Sequence, residues 1–158
     1  MSVQKRKEMI LKILSVSSFV VIVDRLTKHF LYGNLSEGES IRIIPGLFHV
    51  TLVLNSGTAF GLFKGRSAFF MVLTALVMAL ICFYVWRGGC KDLLTLTALG
   101  LILGGAAGNL IDRVLFGYVI DFLDFRIWPV FNIADASITI GAFILTMRLI
   151  LNKRCYTT

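Results

Sequence analysis

Asp135 stands at the mouth of an otherwise apolar run, FNIADASITIGAF over residues 131 to 143. Asp24, Asp112, Asp121 and Asp124 lie near the ends of other apolar runs or in the connections between them, making five of the chain's nine acids. A charge in or beside hydrocarbon costs at least about 2.5 kcal/mol on insertion scales, so each of these residues is a functional-site candidate by default. Two carboxylates a few ångströms apart cannot both ionise. Their titrations split, which supplies a base and an acid near neutral or mildly acidic pH. Such a pair deprotonates a water for attack on a peptide carbonyl and protonates the departing amine. His29 and His49 have no matching partners, and Ser56 and Ser137 lack an evident base, which speaks against a serine hydrolase.

The elements that must position these acids are membrane helices. The chain has 158 residues, 57% of them hydrophobic, and a mean hydropathy of +0.84, too apolar for an ordinary soluble domain and far too apolar for disorder. A span needs about 20 apolar residues to cross about 30 Å of hydrocarbon. Four runs qualify, at about 9–32, 67–86, 93–111 and 133–151. The N-terminal KRK and the apolar stretch after it resemble the start of a signal peptide, but no small-x-small cleavage site follows, so the run is read as a retained first helix. Gly100, Gly104 and Gly108 form a small-residue seam on the third helix, suited to close backbone packing.

Lys5, Arg6, Lys7, Lys12, Arg87, Lys91, Arg148, Lys153 and Arg154 gather on one side, which the positive-inside rule makes cytoplasmic. Both termini are therefore expected in the cytoplasm, with residues 33–66 and 112–132 facing outward. The net charge of +7 fits topology and anionic-lipid contact. No basic patch with interleaved aromatics suggests nucleic acid. Cys82, Cys90 and Cys155 fall near the cytoplasmic side, and their spacing fits neither a zinc site nor a disulfide framework. In the first outward segment, IRIIPGLFHVTLVLN predicts two short strands around Pro45-Gly46, forming a small sheet at the membrane surface. The expected architecture is thus a single integral membrane domain over 1–158, all-α with four spans and that small sheet.

Plainer readings of the acids stand beside the functional one. Asp24 and Lys28, at i and i+4, neutralise each other if they pair. Asn132 and Asp135 have the spacing of an N-cap and an N3 acid reaching back. Asp112-Arg113 is readable as an interfacial ion pair, and Asp124 as a solvated loop charge.

Four blocks carry a resemblance that covers essentially the whole chain: VDRLTK (23–28), NSGTAFG (55–61), GGAAGNLIDRVLFGYVIDF (104–122) and FNIADA (131–136). In order and type they resemble bacterial lipoprotein signal peptidases, also called signal peptidase II. The resemblance implies an aspartic endopeptidase of the bacterial inner membrane that removes the signal peptide from diacylglyceryl-modified prolipoproteins, cutting just before the lipidated cysteine. It implies Asp121 and Asp135 as the catalytic pair, near the outward face. Asp24, Lys28, Asn55, Gly108, Asn109, Asp112, Arg113, Asn132 and Ala134 match other motif positions, where support of the site or substrate contact is implied. Asp124 falls outside the pattern. No cofactor or metal is implied, the partners are prolipoproteins and membrane lipids, and a monomer is expected. The 14 residues from Asp121 to Ala134 leave little room for an elaborated loop.

Three other functions compete. A metal-dependent lipid-modifying enzyme would hold magnesium through Asp112, Asp121, Asp124 and Asp135. A small proton-coupled carrier would use the buried acids as a relay. A structural membrane subunit leaves the acids unexplained.

Overall fold

The computed structural model describes residues 3–57, 67–89 and 92–151. Residues 58–61 of the NSGTAFG block lie outside them, as do Lys64, Arg66, Cys90, Lys91, Lys153, Arg154 and Cys155.

Four helices carry the chain: α1 (Val3–Asn34), α2 (Ser67–Trp86), α3 (Leu93–Phe116) and α4 (Ile133–Leu151). α2 and α4 fall on the apolar runs read from the sequence. α1 begins six residues earlier than expected, because Gln4, Lys5, Arg6, Lys7 and Glu8 are good helix formers outside the apolar stretch. α3 runs past 111 to Phe116, where Gly117 stops it. Gly117 adopts the left-handed conformation, φ 81°, and its N–H reaches the Arg113 carbonyl. Among the described residues, α2, α3 and α4 are long and apolar enough to cross a membrane. α1 is longer, but Lys12, Asp24, Arg25 and Lys28 interrupt its apolar stretch.

The strands are β1 (Ser40–Ile44), β2 (Phe48–Asn55) and β3 (Val119–Asp124), in one antiparallel sheet of order β1-β2-β3. β1 and β2 are the two strands expected around Pro45-Gly46, with Gly46 at φ 75° in the turn. β3 was not expected. It brings Asp121 opposite Val53 and places Val119 opposite Asn55.

α3 is the central helix and packs against α1, α4 and, less extensively, α2. The glycine seam makes this approach possible. A Cβ on Gly104 would stand 2.7 Å from the Ser17 carbonyl oxygen and 2.8 Å from Val20 Cβ, and one on Gly100 2.7 Å from Val16 Cβ. On the α4 side, a Cβ at Gly141 would stand 2.7 Å from the Ala98 carbonyl oxygen. Backbone thus lies against backbone at both contacts, where lipid offers no hydrophobic drive and close packing supplies the attraction. Gly104→Ala is therefore expected to destabilise the protein by about 1–3 kcal/mol, the range for overpacking, read as a lower unfolding temperature in detergent. An unchanged unfolding temperature would mean that α1 and α3 separate freely.

Away from the acids, Met9, Ile13, Leu96 and Leu99 form a small apolar core. There Asp92 caps α3 by accepting from the Thr95 N–H at 3.1 Å, and it pairs with Arg148 of α4 at 2.7 Å.

Candidate active site

The start of α4 is fixed by a reciprocal cap. Asn132 Oδ1 accepts the Asp135 N–H at 2.9 Å, while the Asn132 N–H donates to Asp135 Oδ2 at 3.3 Å. The N-cap reading of this spacing is therefore correct as geometry. It also aims Asp135: the other oxygen, Oδ1, accepts the Asn109 side-chain amide at 2.7 Å.

Asp121 comes to the same place from β3. Its Oδ1 accepts the Asn132 side-chain amide at 2.7 Å and its Oδ2 that of Asn55 at 2.8 Å. Asn132 thus contacts both acids, and its amide also donates to Asn109 Oδ1 at 3.1 Å. Asp121 is 1% exposed. Burial pushes its carboxyl up to about 7, with the nearby Asp135 charge adding to the rise and the Asn55 and Asn132 amides opposing it.

Behind the two acids lies a buried ionic layer. Lys28 reaches Asp24 Oδ2 at 2.8 Å, Asp112 Oδ2 at 2.7 Å and Asn109 Oδ1 at 3.2 Å, and all three charged residues are fully buried. Arg25 adds a second cation to Asp112. The layer is tied to the backbone as well. Asp24 Oδ1 accepts the Ala134 N–H at 3.0 Å, and Asp112 Oδ2 accepts the Ile120 N–H at 3.2 Å. Gly108 lets Asp24 in, since a Cβ there would sit 2.7 Å from Asp24 Oδ2.

Asp121 and Asp135 line one cavity of about 770 Å³ together with Asn55, Asn109 and Arg113. The rest of its wall is mainly apolar, including Phe125, Ile127, Trp128 and Phe131 of the β3–α4 connection and Ile140 of α4. A cavity of this size with a few convergent polar groups in an apolar wall suits a ligand with both characters. Asp24, Lys28, Gly108, Asp112, Asn132 and Ala134 are not among its lining residues.

Two readings of single residues are corrected. Asp112 pairs with Lys28 and Arg25, not with its neighbour Arg113, because consecutive helical residues point to different sides. The Arg113 guanidinium instead lies over the Phe70 ring, 5.4 Å from its centroid. Asp124 is not a solvated loop charge. It ends β3, is 4% exposed, and accepts from the Thr51 hydroxyl at 2.7 Å and from Arg126. With Asp112 and Asp124 engaged elsewhere, the four-aspartate magnesium set is not assembled. Among the described residues, no three His, Cys, Asp or Glu side chains are grouped to hold a metal ion.

Arg25 and the apolar cavity wall are the participants that sequence reading passed over. Arg25 lies three residues before Lys28, on the same helical face, which was a usable signal. FRIWPVF, residues 125–131, was the other, since it is strongly apolar for a short outward connection.

The chain is similar to known proteins in sequence and in fold. Residues 16–151 match the family model described as Signal peptidase (SPase) II. The lipoprotein signal peptidase of Halothermothrix orenii is 47% identical over 130 residues, 82% of this chain and 89% of that one. That of Moorella thermoacetica is 45% identical over 139 residues, 87% and 92% of the two chains. A solved bacterial membrane enzyme, determined by the in meso method at 2.3 Å resolution, superposes with a TM-score of 0.84 at 33% identity, covering 92% of this chain and 93% of that one. The chain belongs to the signal peptidase II family and is a membrane peptidase of that class.

Proposed function

We propose that this peptidase cleaves diacylglyceryl-modified prolipoproteins just before the lipidated cysteine, with Asp121 and Asp135 activating one water between them. The observation that carries the reading is the shared cavity: two carboxylates from different elements, Asp121 buried and Asp135 half-buried, fixed by Asn55, Asn109 and Asn132, open onto an apolar wall suited to a lipid-anchored peptide.

The pair enters the reaction holding one proton. The ionised carboxylate takes a proton from water, whose oxygen forms a bond to the scissile carbonyl carbon. The protonated carboxyl donates to the carbonyl oxygen as charge develops there. The tetrahedral intermediate collapses as the C–N bond breaks and the nitrogen takes a proton from the dyad. The products are the signal peptide's new carboxyl end and the free amine of the lipidated cysteine. No step requires a metal. Asn109 and Asn132 hold the carboxyl planes, and Arg113 stands at the cavity edge where a substrate carbonyl fits.

Four spans are the proposed topology, with α1 as the first. At 1.5 Å rise per residue its 32 residues extend about 48 Å, and Asp24 and Lys28 are fully buried within the bundle instead of facing lipid. The termini are cytoplasmic, the membrane is the bacterial inner membrane, and the acids lie near its outward face. The chain works as one domain and as a monomer.

Since the dyad must keep one proton, kcat/KM is expected to fall on the alkaline side with a midpoint close to 7, the value of Asp121. Well above it the fall approaches about tenfold per pH unit, because only the singly protonated pair reacts. EDTA is expected to leave the profile unchanged. A flat profile through pH 9, or activity lost to chelator and restored by a divalent cation, would overturn the reading.

A further inference from the structure

The β3–α4 connection turns at residues 125–128 and leaves apolar side chains exposed. Ile127 is 91% exposed, Trp128 60% and Phe125 40%. Water gives no reason for such exposure, since it favours withdrawal of apolar surface. The turn is also firmly built. Arg126 adopts φ 64°, uncommon outside glycine, and the buried Asp124 holds it there. Asp124 Oδ1 accepts the Arg126 N–H at 2.9 Å, and Oδ2 receives the Arg126 guanidinium at 3.1 Å and the Thr51 hydroxyl at 2.7 Å. The Ile127 N–H closes the turn on the Phe125 carbonyl at 2.7 Å. Behind it the rings of Phe48, Phe125 and Phe131 pack in a row, with centroids 4.9 and 5.9 Å apart.

The surroundings indicate what meets this tip. Phe125, Ile127 and Trp128 share the cavity wall with Ile140 of α4. Ile140 and Phe143 belong to the exposed apolar surface of α4, a helix long and apolar enough to cross a membrane. The tip therefore continues a surface that faces hydrocarbon. Its composition suits the boundary between headgroups and acyl chains: apolar side chains to go in, an amphipathic indole, and an arginine whose head stays at phosphate level.

We propose that residues 125–128 insert into the bilayer leaflet on the active-site side, with Ile127 and Trp128 below the headgroups, so that lipid closes the cavity beside Asp121 and Asp135. A substrate held by its acyl chains then reaches the acids laterally, without leaving the leaflet. That last step rests on the proposed cleavage reading. The lipid contact itself does not, and its test needs no turnover.

The chain has two tryptophans, Trp86 and Trp128, so Trp86→Phe leaves Trp128 as the sole indole reporter. The wild-type emission minus that of Trp128→Phe isolates the same signal should the first variant fold poorly. In vesicles of phosphatidylethanolamine and phosphatidylglycerol, Trp128 emission is expected to be blue-shifted and to lose more than half its intensity when the lipids are brominated near the top of their chains. Aqueous iodide is expected to change it little. Ile127→Asp is expected to shift the emission to the red and to weaken the bromine quenching at least twofold. Red-shifted Trp128 emission, quenched by iodide and indifferent to brominated lipid, would overturn the proposal. Blue-shifted emission unaffected by either quencher would also overturn it, because a protein surface would then be covering the tip. Loss of cleavage with lipid quenching intact would count against the catalytic reading alone.

Discussion

Lys28→Met is expected to lower the stability of the folded protein by about 3–5 kcal/mol, the range measured when one partner of a buried ion pair is removed. Lys28 is fully buried and holds Asp24 and Asp112 at 2.8 and 2.7 Å. Methionine fills much the same space but leaves Asp24 facing Asp112 with only Arg25 to offset their charge. The damage extends to helix placement, since Asp24 also receives the Ala134 N–H and so joins α1 to the first turn of α4. Neutralising the stranded acid is expected to recover part of the loss. The double variant Asp24→Asn, Lys28→Met should be more stable than Lys28→Met alone, and a double-mutant cycle should give a coupling above about 1 kcal/mol. Thermal unfolding in detergent measures all four proteins. A Lys28→Met midpoint level with wild type would show that the ionic layer is not what holds these helices in place.

The helical frame was legible where one physical cause set it. α2 and α4 are apolar runs of bilayer length, and the hairpin of β1 and β2 announces itself by β-branched residues around Pro45-Gly46. β3 was not legible because VIDFLD lacks the alternation of a half-solvated strand: four of its first residues, Val119, Ile120, Asp121 and Phe122, are buried on whichever face they lie. The acids were visible as misplaced charges, and the local partners of two of them were visible as spacings: Lys28 for Asp24, and the Asn132 cap for Asp135. Apart from Arg126, two residues from Asp124, most of the remaining partners come from distant segments. Arg25 and Asp112 are 87 residues apart, and Asn55 and Asp121 are 66. No local pattern encodes such contacts, which is why Asp112 was read against its neighbour and Asp124 against solvent.

Replacing either acid of the pair, Asp121→Asn or Asp135→Asn, is expected to reduce kcat at least about 10³-fold, within the contribution of a positioned acid or base. Combining the two should cost little more than either alone, because groups acting as one unit are strongly non-additive. Asparagine keeps the size of each side chain, so both variants should retain the helical fold. KM should change far less than kcat, since the apolar wall and Arg113 remain. Large losses in KM with kcat preserved would make the acids binding groups instead.

The most direct test of the dyad is cleavage of a diacylglyceryl-modified prolipoprotein by the purified protein in lipid. Wild type, Asp121→Asn and Asp135→Asn are compared by gel shift and product mass, with and without EDTA. The predicted result is wild-type cleavage before the lipidated cysteine in EDTA, with both variants folded and inactive. Near-normal cleavage by either variant, or a wild type silenced by EDTA, would contradict it.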